Sequence, residues 1–215
     1  MKYIIMCGGT YKAWETPRHL TRIKGEPIVA RTIRLLRDNG IDDIAISTSS
    51  DAFKQFGVEL LRHENGFTIA EDGDTEKGLW VEAFYNIQEP ACYIFGDVVF
   101  SPAAIKKIVE TDTDSVEFFA SSKPLAPEYP KRWAEPFAFK VKNQKLFREA
   151  IRETEELHLK HGAFKRSPIA WELWQVIKGT PLNHIDYTNY TAINDYTCDI
   201  DVPEDINKYE TIPDI

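Results

Sequence analysis

Tyr3-Ile4-Ile5-Met6-Cys7-Gly8-Gly9-Thr10-Tyr11-Lys12-Ala13 is the stretch on which the reading of this chain turns. Tyr3 to Cys7 is a short, continuous apolar run, the pattern of a strand buried on both faces. It ends abruptly on two glycines. Glycine turns the chain sharply and lets backbone N–H groups approach an anion closely, so Gly8 and Gly9 make the end of this strand a phosphate-binding candidate. In a parallel sheet, ligands bind beyond the carboxyl ends of the strands. The spacing is neither GxGxxG nor a P-loop, and a glycine turn after a strand is common in itself, so the context has to carry the reading.

Outward from the glycines, the first half alternates. Ile28, Val29, Ile33 and Leu36 recur at helical spacing, and Asn39-Gly40 supplies a stop. Ile41 to Ser47 reads as a second strand and Val58 to Leu61 as a weaker one. A polar stretch, Glu71 to Gly78, leads into a helix expected through Trp80, Val81, Phe84 and Tyr85. Ala91 to Phe95 is another buried strand, and Ser101-Pro102 is a helix start with a hydroxyl cap and proline in the first turn. Strand and helix in alternation predict an α/β, Rossmann-like three-layer domain with a mainly parallel sheet.

The second half differs. Val116 to Ala120 and Phe137 to Val141 read as strands around a proline-rich loop, and a charged helix follows from about Gln144 to Lys160. Ser167-Pro168 opens a helix with Ile169, Leu173, Trp174 and Ile177 on one face and Gly179 as its stop; Leu182 to Tyr187 is expected to be a late strand. Pro203-Glu204-Asp205 resembles the acidic first turn of a last helix. Without a linker or repeat, residues 1–215 are expected to form a single domain, with acceptor-side elements mostly in 116–190.

Composition narrows the function. The 215 residues are 43% hydrophobic, enough for a substantial core, and carry a formal net charge of −8, which argues against a nucleic-acid partner. A free nucleotide is not excluded, because a divalent cation presents a triphosphate to an acidic protein. Cys7, Cys92 and Cys198 are odd in number and far apart, with no disulfide framework or CxxC spacing. No apolar run reaches the length of a membrane span, and the first one breaks at Gly8-Gly9, too early for a secretory signal. A cytoplasmic location is expected, and a homo-oligomer is left open. The sequon Asn189-Tyr190-Thr191 therefore carries no weight.

Gly8-Gly9, then Pro17-Arg18-His19-Leu20, then Lys24-Gly25-Glu26-Pro27-Ile28, a helix, and Gly40-Ile41-Asp42-Asp43-Ile44 run in a set order. That order resembles the opening of the nucleotidyltransferase superfamily: sugar-phosphate nucleotidyltransferases, cytidylyltransferases and the molybdenum-cofactor guanylyltransferase type. Their pattern runs roughly GGxGxR, PKxL, GKP(L/I), then a helix ending near GIDDI. The resemblance implies a nucleotidyltransferase of GT-A-like fold, with Cys7, Gly8, Gly9 and Thr10 near the nucleotide. Two departures stand out. The family's loop arginine falls at Ala13, leaving Lys12 as the nearby cation, and the family's lysine falls at Arg18. Arginine keeps the charge and gains a two-pronged fork for oxygens.

Two acidic segments fit the same chemistry. Gly96-Asp97-Val98-Val99-Phe100 is similar to the family's GDxxF motif, whose aspartate binds the metal; Gly96 is expected to admit the nucleotide closely. Asp199-Ile200-Asp201-Val202-Pro203-Glu204-Asp205 resembles the DIDxPED signature, which completes the metal site. If extended, Asp199 and Asp201 share a face. Transfer of a phosphorus-containing group needs positioning and charge neutralisation more than covalent help. Mg²⁺ (or Mn²⁺) held by Asp97, Asp201 and Asp199 is the expected cofactor. Arg18, Lys12 and Asp97 are the expected catalytic residues.

Thr75 is the candidate base contact, Gly96 belongs with it to the expected nucleotide site, and CTP is slightly favoured by the tail signature. Arg132, Trp133 and Glu135 are the expected acceptor contacts, with Lys131, Lys165, Arg166 and Tyr129 as further candidates. Trp171 and Trp174 read as core residues of an amphipathic helix, and His158 and His161 as solvated histidines despite metal-like spacing. His19 is the histidine expected near phosphate. The expected partners are an NTP and a phosphorylated small-molecule acceptor such as a sugar or polyol phosphate, as in the supply of polysaccharide precursors. Two alternatives remain: a GT-A-type glycosyltransferase using Asp199-Ile200-Asp201 as an Asp-x-Asp motif, and a nucleotide-binding paralogue without catalysis.

Overall fold

A computed structural model describes residues 1–63, 68–69, 75–121, 134–164 and 166–212, with the backbone alone at 69 and 75–77. Its centre is a seven-stranded sheet. In chain order the strands are β1 (Lys2–Met6), β2 (Ile44–Thr48), β3 (Glu59–Arg62), β4 (Ala91–Phe95), β5 (Val116–Ala120), β6 (Pro136–Val141) and β7 (Thr191–Ala192). In space they run β7-β5-β6-β4-β1-β2-β3. β1 pairs in parallel with β2 on one side and with β4 on the other, and β2 pairs in parallel with β3. β6 is antiparallel to both β4 and β5, while β5 and β7 are parallel.

The chain leaves β1 for β2 and β3, then returns to add β4 on the opposite edge of β1. That reversal is a topological switch point, and it opens a crevice at the carboxyl ends of β1 and β4. The glycine pair follows one of these strands and Gly96-Asp97 the other.

Helices α1 (Ile28–Asp38) and α2 (Pro102–Glu110) pack on each other, as do α3 (Gln144–His161) and α4 (Ala170–Lys178). A short α5 (Asn207–Glu210) closes the described chain. Helix α2 begins as the sequence predicts: Ser101 Oγ accepts from the Ala104 N–H at 2.9 Å, with Pro102 at the first helical position. Its other end is held by Lys140, buried on β6, whose Nζ donates to the Val109 and Thr111 carbonyls at 2.9 and 2.6 Å. Burial lowers the Lys140 pKa, and these bonds to the C-terminal carbonyls compensate the buried cation.

The core is aromatic. Phe84 meets Tyr93, Phe139 and Phe147 edge-on at centroid distances of 5.2, 5.6 and 5.0 Å. Trp171 and Trp174 pack on Phe118 as core residues, as their helical spacing implied. Each such ring contributes about 1.5–3 kcal/mol by burial and makes this face the rigid floor of the domain. A second, smaller cluster joins Ile23, Ile28, Val99, Cys198, Ile200, Tyr209 and Ile212, which anchors the tail beneath the start of α1.

Three expectations are corrected. The segment through Trp80 to Tyr85 is a 3-10 helix of four residues, Trp80–Ala83, with Phe84 extended, because Phe84 turns inward to the aromatic cluster. Leu182 to Tyr187 is not a strand; the late strand is Thr191–Ala192, which completes the sheet beside β5. Helix α4 starts at Ala170 rather than at Ser167-Pro168: Glu172 turns back to accept from the Ile169 N–H at 3.0 Å and fixes the start there. No described helix is long and apolar enough to cross a membrane.

Candidate functional site

The glycine loop leaves β1 at the switch point. The Cys7 N–H donates to Ser47 O at 2.9 Å, so β1 stays tied to β2 up to the glycines. Gly9 has φ +84°, a conformation open to glycine, and the chain then forms a two-residue strand, Thr10–Tyr11, parallel to Thr68–Ile69. Thr68–Ile69 in turn pairs with Thr75–Lys77, which brings the candidate base-recognising segment onto the glycine loop. Burial pushes the Cys7 thiol well above its ordinary pKa, which makes it inert packing.

Pro17 ends the loop and Arg18–Leu20 forms one turn of 3-10 helix. That turn buries Arg18 and aims its guanidinium across the crevice mouth. Nη2 donates to Asp97 Oδ2. Nη1 donates to Asp201 Oδ1 and to the Ile200 carbonyl, both at 3.0 Å. The guanidinium carbon lies 3.7 Å from the Tyr11 ring centroid. Burial would lower the Arg18 pKa, but Asp97, Tyr11 and Asp201 together outweigh burial and raise it. Burial drives the Tyr11 hydroxyl up to about 12, against the lowering pull of Arg18.

His19 packs edge-on to Tyr11 and Phe53, with centroids 6.0 and 6.1 Å away. Burial, and then the neighbouring Arg18 charge, lower its pKa to about 3. The expected phosphate-side histidine is therefore neutral and enclosed.

Asp97 follows β4, and the glycine before it is required by the protein's own packing. A Cβ at Gly96 would lie 2.4 Å from Met6 O and 2.6 Å from Cys7 Sγ. The close approach of β1 therefore requires a glycine at this position, whatever else lies against it. Val98–Val99 pairs antiparallel with Cys198–Asp199, and the Ile200 N–H donates to Asp97 O at 3.1 Å. This small ladder carries the acidic tail to Asp97. Ile200 is fully buried, so Asp199 and Asp201 lie on the opposite side of the extended tail, as their alternation implied. Asp205 Oδ2 accepts from the backbone N–H groups of Asp201 and Val202 at 2.8 and 3.1 Å, holding the turn into the 3-10 helix Pro203–Ile206.

Some positions fall elsewhere. Lys12 is exposed on the loop beside Tyr11. Glu135 exchanges backbone hydrogen bonds with Ser121 where β5 ends and β6 begins. Arg166 is exposed and its Nε donates to the buried Glu172 carboxylate at 2.8 Å. His158 and His161 lie in the last turn of α3, and no set of three His, Cys, Asp or Glu side chains among the described residues is grouped to hold a metal. Tyr129, Lys131, Arg132, Trp133 and Lys165 lie outside the described residues, as does the side chain of Thr75.

Trp14 was not anticipated from the sequence. Its Nε1 donates to Asp201 O at 2.8 Å and ties the glycine loop to the tail. The signal available was an indole within a loop otherwise read for glycines and cations. Ser101 and Asp195 were likewise not paired: Ser101 Oγ donates to Asp195 Oδ2, and Asp195 Oδ1 accepts from the Thr197 N–H at 2.8 Å.

No family model matches the chain, and no curated protein matches it in sequence. Solved structures match it in shape along nearly its whole length. A Bacillus anthracis protein assigned as a glucose-1-phosphate thymidylyltransferase, in complex with sucrose, is 17% identical with a TM-score of 0.59, covering 99% of this chain and 94% of that one. The CTP:phosphocholine cytidylyltransferase LicC of Streptococcus pneumoniae is 14% identical with a TM-score of 0.52, covering 98% of each chain. HddC of Yersinia pseudotuberculosis, complexed with GMP-PN, is 15% identical with a TM-score of 0.50, covering 97% of each. The chain has the Rossmann-like fold of these nucleotidyltransferase structures, with a mainly parallel sheet.

Proposed function

We propose that this chain is a cytoplasmic nucleotidyltransferase that transfers a nucleoside monophosphate from an NTP to a small phosphorylated acceptor. In this reading an acceptor phosphate oxygen attacks the α-phosphorus, the bond from the α-phosphorus to the bridging oxygen breaks, and pyrophosphate leaves. The acceptor phosphate is already nucleophilic, so positioning and charge balance carry the catalysis.

The observation that carries the reading is the meeting of three separated segments at one switch point. Gly8-Gly9 leaves β1, Asp97 leaves β4, and the Asp199–Asp201 tail is laddered to the strand after Asp97. Backbone N–H groups of the Gly8–Thr10 turn receive the triphosphate, with Lys12 as the exposed cation beside it. The Thr75 segment, paired through Thr68–Ile69 to the loop, meets the base. Glu135, with Arg132 and Trp133, belongs to the acceptor side.

The sequence placed Mg²⁺ (or Mn²⁺) on Asp97, Asp201 and Asp199. The guanidinium of Arg18 lies between Asp97 and Asp201, bonded to both. As placed, these carboxylates do not fit an ion bridging the pair. Magnesium belongs to the reading as the counter-ion that the NTP brings.

Binding is tested by thermal shift with CTP, UTP, GTP, ATP and dTTP, each with Mg²⁺. A ligand at about a hundred times its Kd stabilises by about 2.7 kcal/mol. CTP is slightly favoured by the tail motif, and two of the similar structures carry cytidyl in their names. Turnover is tested by pyrophosphate release with glucose 1-phosphate, phosphocholine and polyol phosphates as acceptors. Asp97→Asn, which takes the counter-charge from Arg18 at the centre of the site, is expected to lower release strongly in protein that circular dichroism shows to be folded. Undiminished turnover in that variant, or a response to none of the five nucleotides, sinks the assignment.

A further inference from the structure

We propose that Arg18 stands in for the resident divalent cation of this site: its guanidinium is the fixed positive charge that joins Asp97 to Asp201, and a metal ion enters between them only when that side chain is removed. The inference deepens the nucleotidyl-transfer reading of the same site, and its test is carried out without nucleotide, so the two stand or fall separately.

The geometry is that of a built-in cation. A magnesium ion holds carboxylate oxygens at about 2.0–2.1 Å in a nearly octahedral shell. Here Asp97 Oδ2 and Asp201 Oδ1 are instead each bonded to a nitrogen of one guanidinium, and an ion bridging those oxygens would overlap the group. Arg18 is not a surface side chain resting on the site. It is 7% exposed, rooted in a 3-10 turn that follows Pro17, and its guanidinium carbon lies over the Tyr11 ring. Nη1 also satisfies the Ile200 carbonyl at 3.0 Å. Withdrawal would leave that carbonyl without its donor, the Tyr11 face uncovered, and Asp97, 15% exposed at its side chain, without its counter-charge.

Arginine suits this role and lysine does not. Its guanidinium presents five N–H donors in a rigid fork, so one side chain satisfies two carboxylates and a carbonyl together. A lysine has the same charge but bonds as a point, and two carboxylates with a single point charge between them leave room and need for a metal. The fixed guanidinium also accounts for the backbone design around it. The Val98–Val99 and Cys198–Asp199 ladder and the Trp14 bond to Asp201 O hold both acidic segments in place around one cation of fixed shape.

Mn²⁺ alone is the probe, titrated into the full chain without nucleotide and followed by the loss of its free-ion electron paramagnetic resonance signal. Wild type is expected to take up no Mn²⁺ that depends on Asp97. Arg18→Ala and Arg18→Gln are each expected to gain about one equivalent, lost again when Asp97→Asn is added. Stoichiometric Mn²⁺ uptake by wild type that Asp97→Asn or Asp201→Asn abolishes overturns the proposal. So does an Arg18 variant that folds, by circular dichroism, and gains no site. If both Arg18 variants fail to fold, the wild-type arm decides: uptake sensitive to Asp97→Asn refutes the proposal, and its absence upholds it.

Discussion

Arg18 Nη2 donates to Asp97 Oδ2, joining the turn after the glycine loop to the end of β4 across 79 residues of sequence. Both side chains are shielded, at 8% and 15% exposure, whereas Asp201, the second carboxylate on Arg18, is 63% exposed. The two ion pairs of one guanidinium are therefore unequal. Solvent screens the Asp201 pair and leaves the Asp97 pair to carry most of the interaction.

A double-mutant cycle separates them. Removing one partner of a shielded pair strands the other charge, so Arg18→Ala is expected to cost about 3–5 kcal/mol in urea denaturation. The coupling of Arg18 to Asp97 is expected to be about 2 kcal/mol, and that of Arg18 to Asp201 below about 1 kcal/mol. Equal couplings would contradict the burial difference.

His19 gives the fold an acid sensitivity. Its pKa is about 3 in the folded chain, below the ordinary value of 6.5, because burial and Arg18 disfavour the charged ring. Between those values the unfolded chain binds the proton and the folded chain does not. Stability is thus fully present above pH 6.5 and falls as the pH drops towards about 3, by at most about 1.4 kcal/mol per unit. Denaturation midpoints measured from pH 7 to 5 should show this loss, and His19→Leu should flatten it over that range.

Gly96→Ala is expected to destabilise the protein by about 3 kcal/mol, the upper end of the usual overpacking range. The added Cβ would meet a backbone carbonyl of β1 at 2.4 Å, and β1 is the central strand of the parallel half. A thermal midpoint within a degree of wild type would show that β1 and β4 separate more readily than their register implies.

Ser101→Ala is expected to cost about 2 kcal/mol. The hydroxyl caps α2 through Ala104 and also satisfies Asp195, so its loss removes a cap and leaves a shielded carboxylate oxygen unpaired. Ser101→Thr should recover most of this in the same denaturation experiment, because it restores the hydroxyl.

Elements whose cause is local are legible in the amino-acid sequence. Continuous apolar runs made β1 and β4 buried strands, Ser101-Pro102 set the start of α2, and Gly179 set the end of α4. Nearest-neighbour sterics, caps and periodicity act within a turn or two, so they are visible in a short window. The motif order also carries the expectation that Gly8-Gly9, Asp97 and Asp199–Asp201 come together. Their spatial convergence required the reversal of strand order around β1, which no single window contains. The partners of Arg18 come from the tertiary structure. The sequence read it as a catalytic cation, and the structure gives it as partners Asp97, Ile200 and Asp201, 79 to 183 residues away. It likewise decided that Gly96 makes room for β1 and that Trp14 holds the tail. These roles depend on sheet register and on the path of the returning tail, long-range quantities that leave no period or cap in the sequence.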